Sequence, residues 1–287
     1  MSFSPLSDKT ISIIGLGLMG GSQALALQGK CKEIFALEND PETIAFARAR
    51  GWVDRISSEA RDVIPQADVL ILAAPVQTIL NMIPQLPLWH SGGPLVMDIG
   101  STKEKICEAL SQLPARFHAI GGHPICGKEF SSIRSAEKDL YRDATFALCA
   151  IPSTGEGDRQ IAEALVAAVG AKPIWLDART HDLWVAATSH TPYLVANALA
   201  AVTPVDAKPL VGPGLRSTSR LAGSNLHMMM DILLTNREAV LDQLDLYQKQ
   251  LSRLQELLSL QSQDDLLREI SFGRDKYLEI ITIKEST

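Results

Sequence analysis

The 287-residue sequence has no apolar run near the roughly 20 residues that a membrane-spanning helix requires. It has no excess of basic residues either: the formal net charge is −6, which argues against nucleic acid as the main partner. Its four cysteines show no C-x-x-C spacing, so a metal site has little support and free thiols are expected. The opening residues, MSFSPLSDKT, lack the apolar segment of a secretory signal, and we expect a cytoplasmic protein.

The segment TISIIGLGLMG at residues 10–20 is the clearest local pattern in the chain. A short apolar run predicts a strand, the glycines that follow have the G-x-G-x-x-G spacing, and a helix-forming run comes next. This context is typical of a dinucleotide-binding turn, where glycines permit the tight turn and the approach of a pyrophosphate. An ordinary glycine-rich turn is the alternative. The predicted cofactor-binding residues here are Gly15, Gly17, Leu18, Met19 and Gly20.

An acidic residue follows the second apolar run, at residues 33–37. Glu38 lies about 20 positions after the glycines, where a carboxylate can hydrogen-bond the ribose hydroxyls of NAD and would repel the 2′-phosphate of NADP. Glu38 or Asp40 could instead cap the next helix. Because Asp40 directly precedes Pro41, we assign the helix cap to Asp40 and the ribose to Glu38. NAD is therefore the expected cofactor.

Further apolar runs at residues 67–75, 95–99 and 146–151 alternate with helical segments, which indicates a parallel sheet covered on both faces. We predict a doubly wound Rossmann-type parallel sheet in residues 1–178, followed by an all-helical dimerisation domain in residues 179–287. Ligands bind beyond the carboxyl ends of such strands. The residues expected at the cofactor for this reason are Ala74, Pro75 and Ser101.

The helical part contains a long predicted helix, from about residue 236 to residue 260. Its apolar positions are spaced three, four, three and four apart, as in a heptad seam. The seam could pack on its own domain or form a subunit interface, and we favour a homodimer. The positions are Leu244, Tyr247, Leu251, Leu254 and Leu258.

His123 is the candidate base. It stands between glycines and a proline in the segment GGHPICG, residues 121–127, which predicts a rigid and accessible loop. A histidine with an unperturbed pKa near 6.5 can take a proton from a hydroxyl at neutral pH. Lys128, directly after this segment, is either a surface lysine or a contact for an anionic substrate.

Three more polar residues have two interpretations each. Ser101 precedes a helix and is either its N-cap or a site residue. His190 precedes Pro192, which should kink a helix, and either lines a cleft or is a buried structural histidine. Arg220 precedes an apolar segment and is expected to point into the structure, where a substrate carboxylate would pair with its guanidinium. A solvated loop charge is the alternative.

Taken together, these motifs resemble the prephenate/arogenate dehydrogenase family of tyrosine biosynthesis, over nearly the whole chain. The matching segments are the glycine turn at 15–20, D-x-G-S-x-K at 98–103, G-x-H-P-I-x-G at 121–127, S-H-x-P at 189–192 and T-S-R at 218–220.

The resemblance implies NAD-dependent oxidative decarboxylation of prephenate or arogenate, a small anionic substrate, without a metal. It implies that His123 accepts the proton of the ring C4 hydroxyl and that Ser101 orients this histidine. It further implies that Arg220 binds a substrate carboxylate and that His190 helps to hold the substrate. Lys128 stands where the family often has threonine or serine, and an added cation favours prephenate.

Two other functions remain open at this level. A β-hydroxyacid dehydrogenase shares the first turn but uses a lysine in a glycine-rich helical segment, a pattern not found between residues 155 and 223. A non-catalytic NAD-sensing module would bind NAD without turning over any cyclohexadienyl acid. Such a sensor needs none of His123, Ser101 and Arg220.

Overall fold

The computed structural model describes residues 5–128 and 132–282. Its strands are β1 (Thr10–Ile14), β2 (Glu33–Leu37), β3 (Arg55–Ser57), β4 (Val69–Leu72), β5 (Leu95–Asp98), β6 (His118–Pro124), β7 (Thr145–Ala150) and β8 (Lys172–Trp175). Within the described residues these eight strands form one sheet, in the order β3-β2-β1-β4-β5-β6-β7-β8. Neighbouring strands are parallel except for β6 and β7, which are antiparallel. The predicted doubly wound sheet is confirmed, with this antiparallel pair as a correction.

Helices connect the strands and cover both faces of the sheet. Those of the sheet region are α1 (Leu18–Leu27), α2 (Pro41–Ala49), α3 (Ala60–Val63), α4 (Val76–Met82), α5 (Leu86–Trp89), α6 (Glu104–Ser111) and α7 (Glu156–Ala168). Along β4, Val69 and Ile71 belong to one buried apolar cluster, and Leu70 and Leu72 belong to another. Because alternate residues of a strand point to opposite faces, the core lies on both sides of the sheet.

The strand register brings the candidate site together. Ile14 of β1 pairs with Leu37 of β2 and with Leu72 of β4, and Leu72 pairs in turn with Asp98 of β5. The carboxyl ends of these four strands therefore lie side by side. The segments that follow them carry the glycine turn, Glu38, Ala74 and Ser101.

His123 lies in a strand, not in the loop that its neighbours suggested. It belongs to β6 and pairs with Ala147 of β7. The two glycines and the proline of this strand interrupt the alternation of apolar and polar residues that is typical of a strand. Pairing with β7 nevertheless supplies the strand's hydrogen bonds. A strand position holds a side chain in a more defined direction than a loop does.

Beyond the sheet the described chain is helical. The segments are α8 (Ala178–Val185), α9 (Thr191–Val202), α10 (Pro213–Ser219), α11 (Leu226–Thr235), α12 (Arg237–Ser259) and α13 (Gln263–Thr282). A π-helical turn, Ala186–His190, joins α8 to α9. The interruption expected at Pro192 thus takes the form of a π turn, which lets the proline begin the next helix.

The chain divides into two compact units, Met1–Arg237 and Glu238–Thr287. The domain boundary expected at residue 178 lies at the start of α8, inside the first unit. In the second unit, the side-chain amide of Gln250 donates a hydrogen bond of 2.6 Å to the carboxylate of Glu269. No helix in the described ranges is long and apolar enough to cross a membrane.

Candidate active site

The glycine turn follows β1 directly. Gly15 has a φ of +97°, which L side chains rarely adopt, and a Cβ there would lie 2.5 Å from the carbonyl oxygen of Ala73. Gly17 is the N-cap of α1 and provides no side-chain hydrogen bond to it. The first backbone N–H groups of α1, from Leu18 onward, are therefore available to an anion such as a pyrophosphate.

Gly20→Ala is expected to distort this turn. An added Cβ would lie 1.9 Å from the carbonyl oxygen of Gly15, so the backbone would have to move. We expect a loss of about 1–3 kcal/mol in the free energy of unfolding and at least roughly tenfold weaker NAD⁺ binding, measured by thermal melts and titration. Gly157→Ala in α7 is the control, since nothing lies within 4 Å of its added Cβ. Unchanged NAD⁺ binding by Gly20→Ala would contradict this account.

Glu38 is held beside the glycine turn. Its Oε2 accepts a hydrogen bond of 2.8 Å from the backbone N–H of Leu16, and its Oε1 accepts from those of Asn39 and Asp40 at 2.8 and 3.0 Å. The predicted cap is confirmed: the Asp40 carboxylate accepts from the N–H of Thr43 at 3.0 Å, at the start of α2. Glu38 therefore remains at the second strand tip, where a ribose would lie in a dinucleotide site.

Asp98 and Lys103 form an ion pair with no exposed side-chain surface. The ammonium of Lys103 contacts Oδ2 of Asp98 and also donates a hydrogen bond of 2.7 Å to the carbonyl oxygen of Gly122. The Asp98 carboxylate accepts from the N–H groups of Gly100 and Gly122, at 2.8 and 3.1 Å. Burial raises the pKa of Asp98, with Lys103 acting in the opposite direction. The pair ties the end of β5 to the residue before His123.

His123 is hydrogen-bonded to a second histidine. Its Nδ1 lies 2.8 Å from Nε2 of His181, and Nδ1 of His181 lies 2.8 Å from Oδ1 of Asp182. His181 and Asp182 are each 1% exposed and lie in the middle of α8. The three side chains form a continuous line from the helical region to the strand that carries His123.

Asp182 also caps α6 from a distance in the sequence. Its Oδ1 accepts from the backbone N–H of Lys103 at 2.7 Å, and its Oδ2 accepts from that of Glu104 at 2.9 Å. The local cap considered at Ser101 is therefore wrong, because α6 receives no side-chain cap from its own N-cap residue. The carboxylate satisfies N–H groups that would otherwise be unpaired in a buried place.

His190 lies at the end of the π turn and is 1% exposed. The side-chain amide of Asn236 lies 3.2 Å from Nδ1 of His190 and donates to the carbonyl oxygen of Asp182 at 2.7 Å. The carbonyl contact sets the amide orientation, so the amide N–H faces the histidine nitrogen. Burial lowers the pKa of His190 to about 4.

The surroundings of His123 favour its neutral form. Burial lowers the pKa of His123 well below 6.5, and the nearby His181, Lys103 and His190 act in the same direction. Part of the residue nevertheless remains accessible. A neutral imidazole can accept a proton, which is the chemistry that a hydroxyl oxidation requires.

Known proteins with the same sequence pattern identify the family. Residues 23–175 match the family model for the prephenate dehydrogenase nucleotide-binding domain, and residues 177–272 match the one for the prephenate dehydrogenase dimerization domain. The chain belongs to the prephenate dehydrogenase family. The resemblance drawn from its motifs is thereby confirmed.

Relatives of the family match over most of their length. The prephenate dehydrogenase of Bacillus subtilis is 30% identical over 278 residues, which are 93% of this chain and 74% of the relative. A crystal structure of the Aquifex aeolicus prephenate dehydrogenase with hydroxyphenyl propionate and NAD⁺ has 30% identity and a TM-score of 0.88, over 96% and 99% of the two chains. The structure of Synechocystis arogenate dehydrogenase has 30% identity and a TM-score of 0.80, over 93% and 99%.

The structure brings some of the predicted family residues together and separates others. His123 and His190 are near enough for the charge of one to affect the other. Ser101 is half-buried, and in the described part of the chain the side chain that shares a hydrogen bond with His123 is that of His181. Arg220 is exposed at the start of a 3₁₀ segment, not turned inward as expected.

Lys128 is exposed and forms an ion pair of 2.8 Å with Glu137. This contact favours the interpretation of Lys128 as a surface lysine over that of a contact for an anionic substrate.

Several site residues were not found from the sequence. His181, Asp182 and Asn236 stand in ordinary helical surroundings, where a histidine–aspartate neighbour pair carries no spacing signal. Lys103 lies inside the D-x-G-S-x-K motif, and the motif alone does not predict its buried ion pair. An ionisable side chain at the end of a motif that begins with Asp98 could have indicated a buried pair.

Proposed function

We propose that this chain is an NAD-dependent dehydrogenase that oxidatively decarboxylates a cyclohexadienyl acid of tyrosine biosynthesis. The observation that carries the proposal is the position of the His123 imidazole, which is held in a line of hydrogen bonds with His181 and Asp182 beside the carboxyl edge of a dinucleotide-binding sheet. The proposal assigns residues 1–178 to the dinucleotide and residues 179–287 to substrate and subunit contacts.

The residues at the sheet edge fit a dinucleotide. The backbone at Gly15 and Gly20 has no space for a Cβ, and the Glu38 carboxylate lies against the turn. The residues proposed to hold the cofactor are Gly15, Gly17, Leu18, Met19, Gly20, Glu38, Ala74, Pro75 and Ser101. When bound, NAD⁺ supplies the hydride acceptor. The acidic Glu38 disfavours the additional phosphate of NADP.

His123 is the proposed general base. It takes the hydroxyl proton as the ring carbon C4 is oxidised to a carbonyl. The ring double bonds link that carbonyl to the carbon that bears the ring carboxylate. The electron pair freed by loss of CO₂ therefore passes to the carbonyl oxygen and leaves an aromatic ring. The stability of this ring drives the decarboxylation, and the chemistry needs no metal as an electron acceptor.

His190 is proposed to hold the substrate by a hydrogen bond and not by charge. Its pKa of about 4 keeps it neutral at neutral pH. Because the Asn236 amide donates to Nδ1, the hydrogen of the neutral ring lies on Nε2. His190 thus presents an N–H donor, and Arg220 remains the proposed cation for a substrate carboxylate.

Prephenate remains the proposed substrate in preference to arogenate. The support for it now comes from the relatives and no longer from Lys128. The argument from Lys128 is weak, because Glu137 already pairs with this lysine. Prephenate is instead supported by the relatives from Bacillus subtilis and Aquifex aeolicus, which carry that name. Arogenate is the alternative, since the Synechocystis enzyme matches at the same identity.

A homodimer through the C-terminal helices is also proposed. The heptad positions Leu251 and Leu258 of α12 are 54% and 67% exposed in the single chain. Large apolar side chains exposed at heptad spacing are typical of a helix that packs on another subunit. The matched dimerization domain of the family covers this helix.

NADH formation by the purified protein tests the function, with prephenate and arogenate offered separately with NAD⁺. Turnover of either acid supports the dehydrogenase, and the ratio of the two kcat/KM values decides the substrate. NAD⁺ binding without turnover of either acid would contradict the proposal and favour the sensor.

The pH profile gives a second expectation. Because burial and neighbouring groups lower the pKa of His123 well below 6.5, the base should stay unprotonated at mildly acidic pH. We expect kcat/KM to be maintained at pH 6.5 and to fall only at lower pH, since kcat/KM reports ionisations of the free enzyme. Initial rates measured across this range check the position of the acidic limb. If kcat/KM fell to half of its maximum at pH 6.5 or above, the expectation would be contradicted.

A further inference from the structure

We propose that His181, oriented by Asp182, is a positioning residue that sets the tautomer of His123. The inference rests on the proposed function of His123 as a base. It concerns which ring nitrogen of that base carries the hydrogen. The contacts of Asp182 determine the tautomer of His181, and His181 in turn determines that of His123.

Asp182 acts as an acceptor at both oxygens. Oδ1 accepts from the backbone N–H of Lys103 at 2.7 Å, and Oδ2 accepts from that of Glu104 at 2.9 Å. The backbone N–H is always a donor, so the carboxylate faces these groups with lone pairs. Oδ1 also lies 2.8 Å from Nδ1 of His181. The hydrogen of a neutral His181 must therefore lie on its Nδ1.

This assignment determines the next contact. In a neutral imidazole one nitrogen donates and the other accepts, so Nε2 of His181 carries a lone pair. That nitrogen lies 2.8 Å from Nδ1 of His123. The hydrogen between them belongs to His123, because the opposite arrangement would put two lone pairs face to face. His123 is then protonated at Nδ1, and its Nε2 is the nitrogen that can accept a proton.

The surroundings make this arrangement rigid. His181 and Asp182 are almost completely buried, and Asp182 is anchored at the start of α6. Water therefore competes little for the histidine–histidine bond. When Nε2 of His123 takes a proton, the ring keeps its Nδ1 donor bond to His181. The Asp182 carboxylate lies at the other end of the same line and holds His181 as the acceptor.

Two replacements of His181 separate positioning from simple packing. His181→Leu keeps an apolar side chain but removes the acceptor, and we expect kcat to fall roughly 10²-fold or more because the base loses its tautomer. His181→Gln places an amide oxygen near the former Nε2, so it should recover most of the lost rate. Equal losses in the two variants at equal thermal stability would overturn the proposal, as would full activity of His181→Leu.

His118→Leu is the matched control. His118 stands on the same strand as His123, and its Nδ1 lies 3.1 Å from Oδ2 of Asp158, but its side chain is 50% exposed. Loss of this second histidine–aspartate pair should leave kcat unchanged. A loss as large as that of His181→Leu would indicate a general effect of disturbing β6, against the proposal.

Nitrogen NMR of the ¹⁵N-histidine-labelled wild-type protein tests the tautomer without relying on turnover or on a foldable variant. The expected spectrum has the His123 hydrogen on Nδ1 and an unprotonated Nε2 at neutral pH. A hydrogen on Nε2 would overturn the inference. If the wild type turned over neither acid, the proposed function would fail, and this spectrum would still decide whether His123 has the tautomer that its contact with His181 requires.

Discussion

His123→Asn is expected to lower kcat by roughly 10²- to 10⁴-fold, the usual contribution of a general base. The asparagine amide can still donate to Nε2 of His181, which lies 2.8 Å from Nδ1 of His123. It has no nitrogen that accepts a proton at neutral pH. The fold and the line to Asp182 should survive, so the loss should appear in kcat and little in NAD⁺ affinity.

Initial rates of NADH formation at saturating prephenate and NAD⁺ measure this effect, and a thermal melt establishes that the variant is folded. His118→Asn, on the same strand and 50% exposed at the side chain, is the control that should keep the wild-type rate. The variant should also lose the acidic limb of its pH profile, since the group that titrates is gone. A His123→Asn protein within a few-fold of wild-type kcat would show that another group takes the proton.

Lys103→Met is expected to be the most destabilising single change among those considered. It leaves the fully buried Asp98 carboxylate without its counter-ion, and breaking a buried pair on one side costs about 3–5 kcal/mol in the free energy of unfolding. Urea or thermal unfolding checks the size of the effect. Lys172→Met is the matched control, because this lysine pairs with Asp143 at 3.3 Å on the surface. Its loss should lower the free energy of unfolding by no more than about 0.5 kcal/mol.

The stability of Lys103→Met should also depend on pH. Burial raises the pKa of Asp98 even with Lys103 opposing it, so removing the lysine raises that pKa further. A carboxyl with a folded-state pKa above its unfolded value stabilises the fold below the unfolded pKa and loses this contribution as pH rises through the folded pKa. The free energy of unfolding of the variant should therefore be closest to that of the wild type in acid. The difference between the two should grow as the pH approaches neutrality. A pH-independent difference would contradict a buried, unpaired carboxyl.

The same variant has a consequence for the base. Lys103 is one of the groups that hold the pKa of His123 down, after burial and His181. Its removal should move the acidic limb of kcat/KM to higher pH. An added positive charge would shift this limb to lower pH instead. The shift can be measured on the fraction of the variant protein that is folded.

Much of this protein could be predicted from its sequence where the information is local. The glycine spacing predicted the first turn, since only glycine tolerates the φ of Gly15 and the close approach at Gly20. The cap at Asp40 followed from Pro41, and β2 has the predicted bounds. Apolar runs predicted the buried strands because a sheet covered on both faces needs apolar residues at consecutive positions.

Predictions were less accurate where the local pattern was weak or ambiguous. The glycines and the proline of β6 interrupt the alternation of a strand, so the sequence predicts a loop where the structure has a strand. Ser101 was considered as a helix cap, whereas Asp182 has that role. Arg220 was expected to point inward, and it is exposed. The first two of these outcomes depend on a segment that is distant in the sequence, β7 for the strand and α8 for the cap.

The sequence by itself determined the family and the glycine turn, because spacing within a few residues sets turns, caps and strand periods. Only the tertiary structure decided how His123 is held. Its partner His181 is 58 positions away, and Asp182 reaches the N–H of Lys103 across 79 positions. Such contacts arise when α8 packs beside α6 and β6, and no local period in the sequence records which side chains then meet. The ion pair of Asp98 and Lys103 lies between these cases: its residues are five apart, but its burial comes from the packing around them.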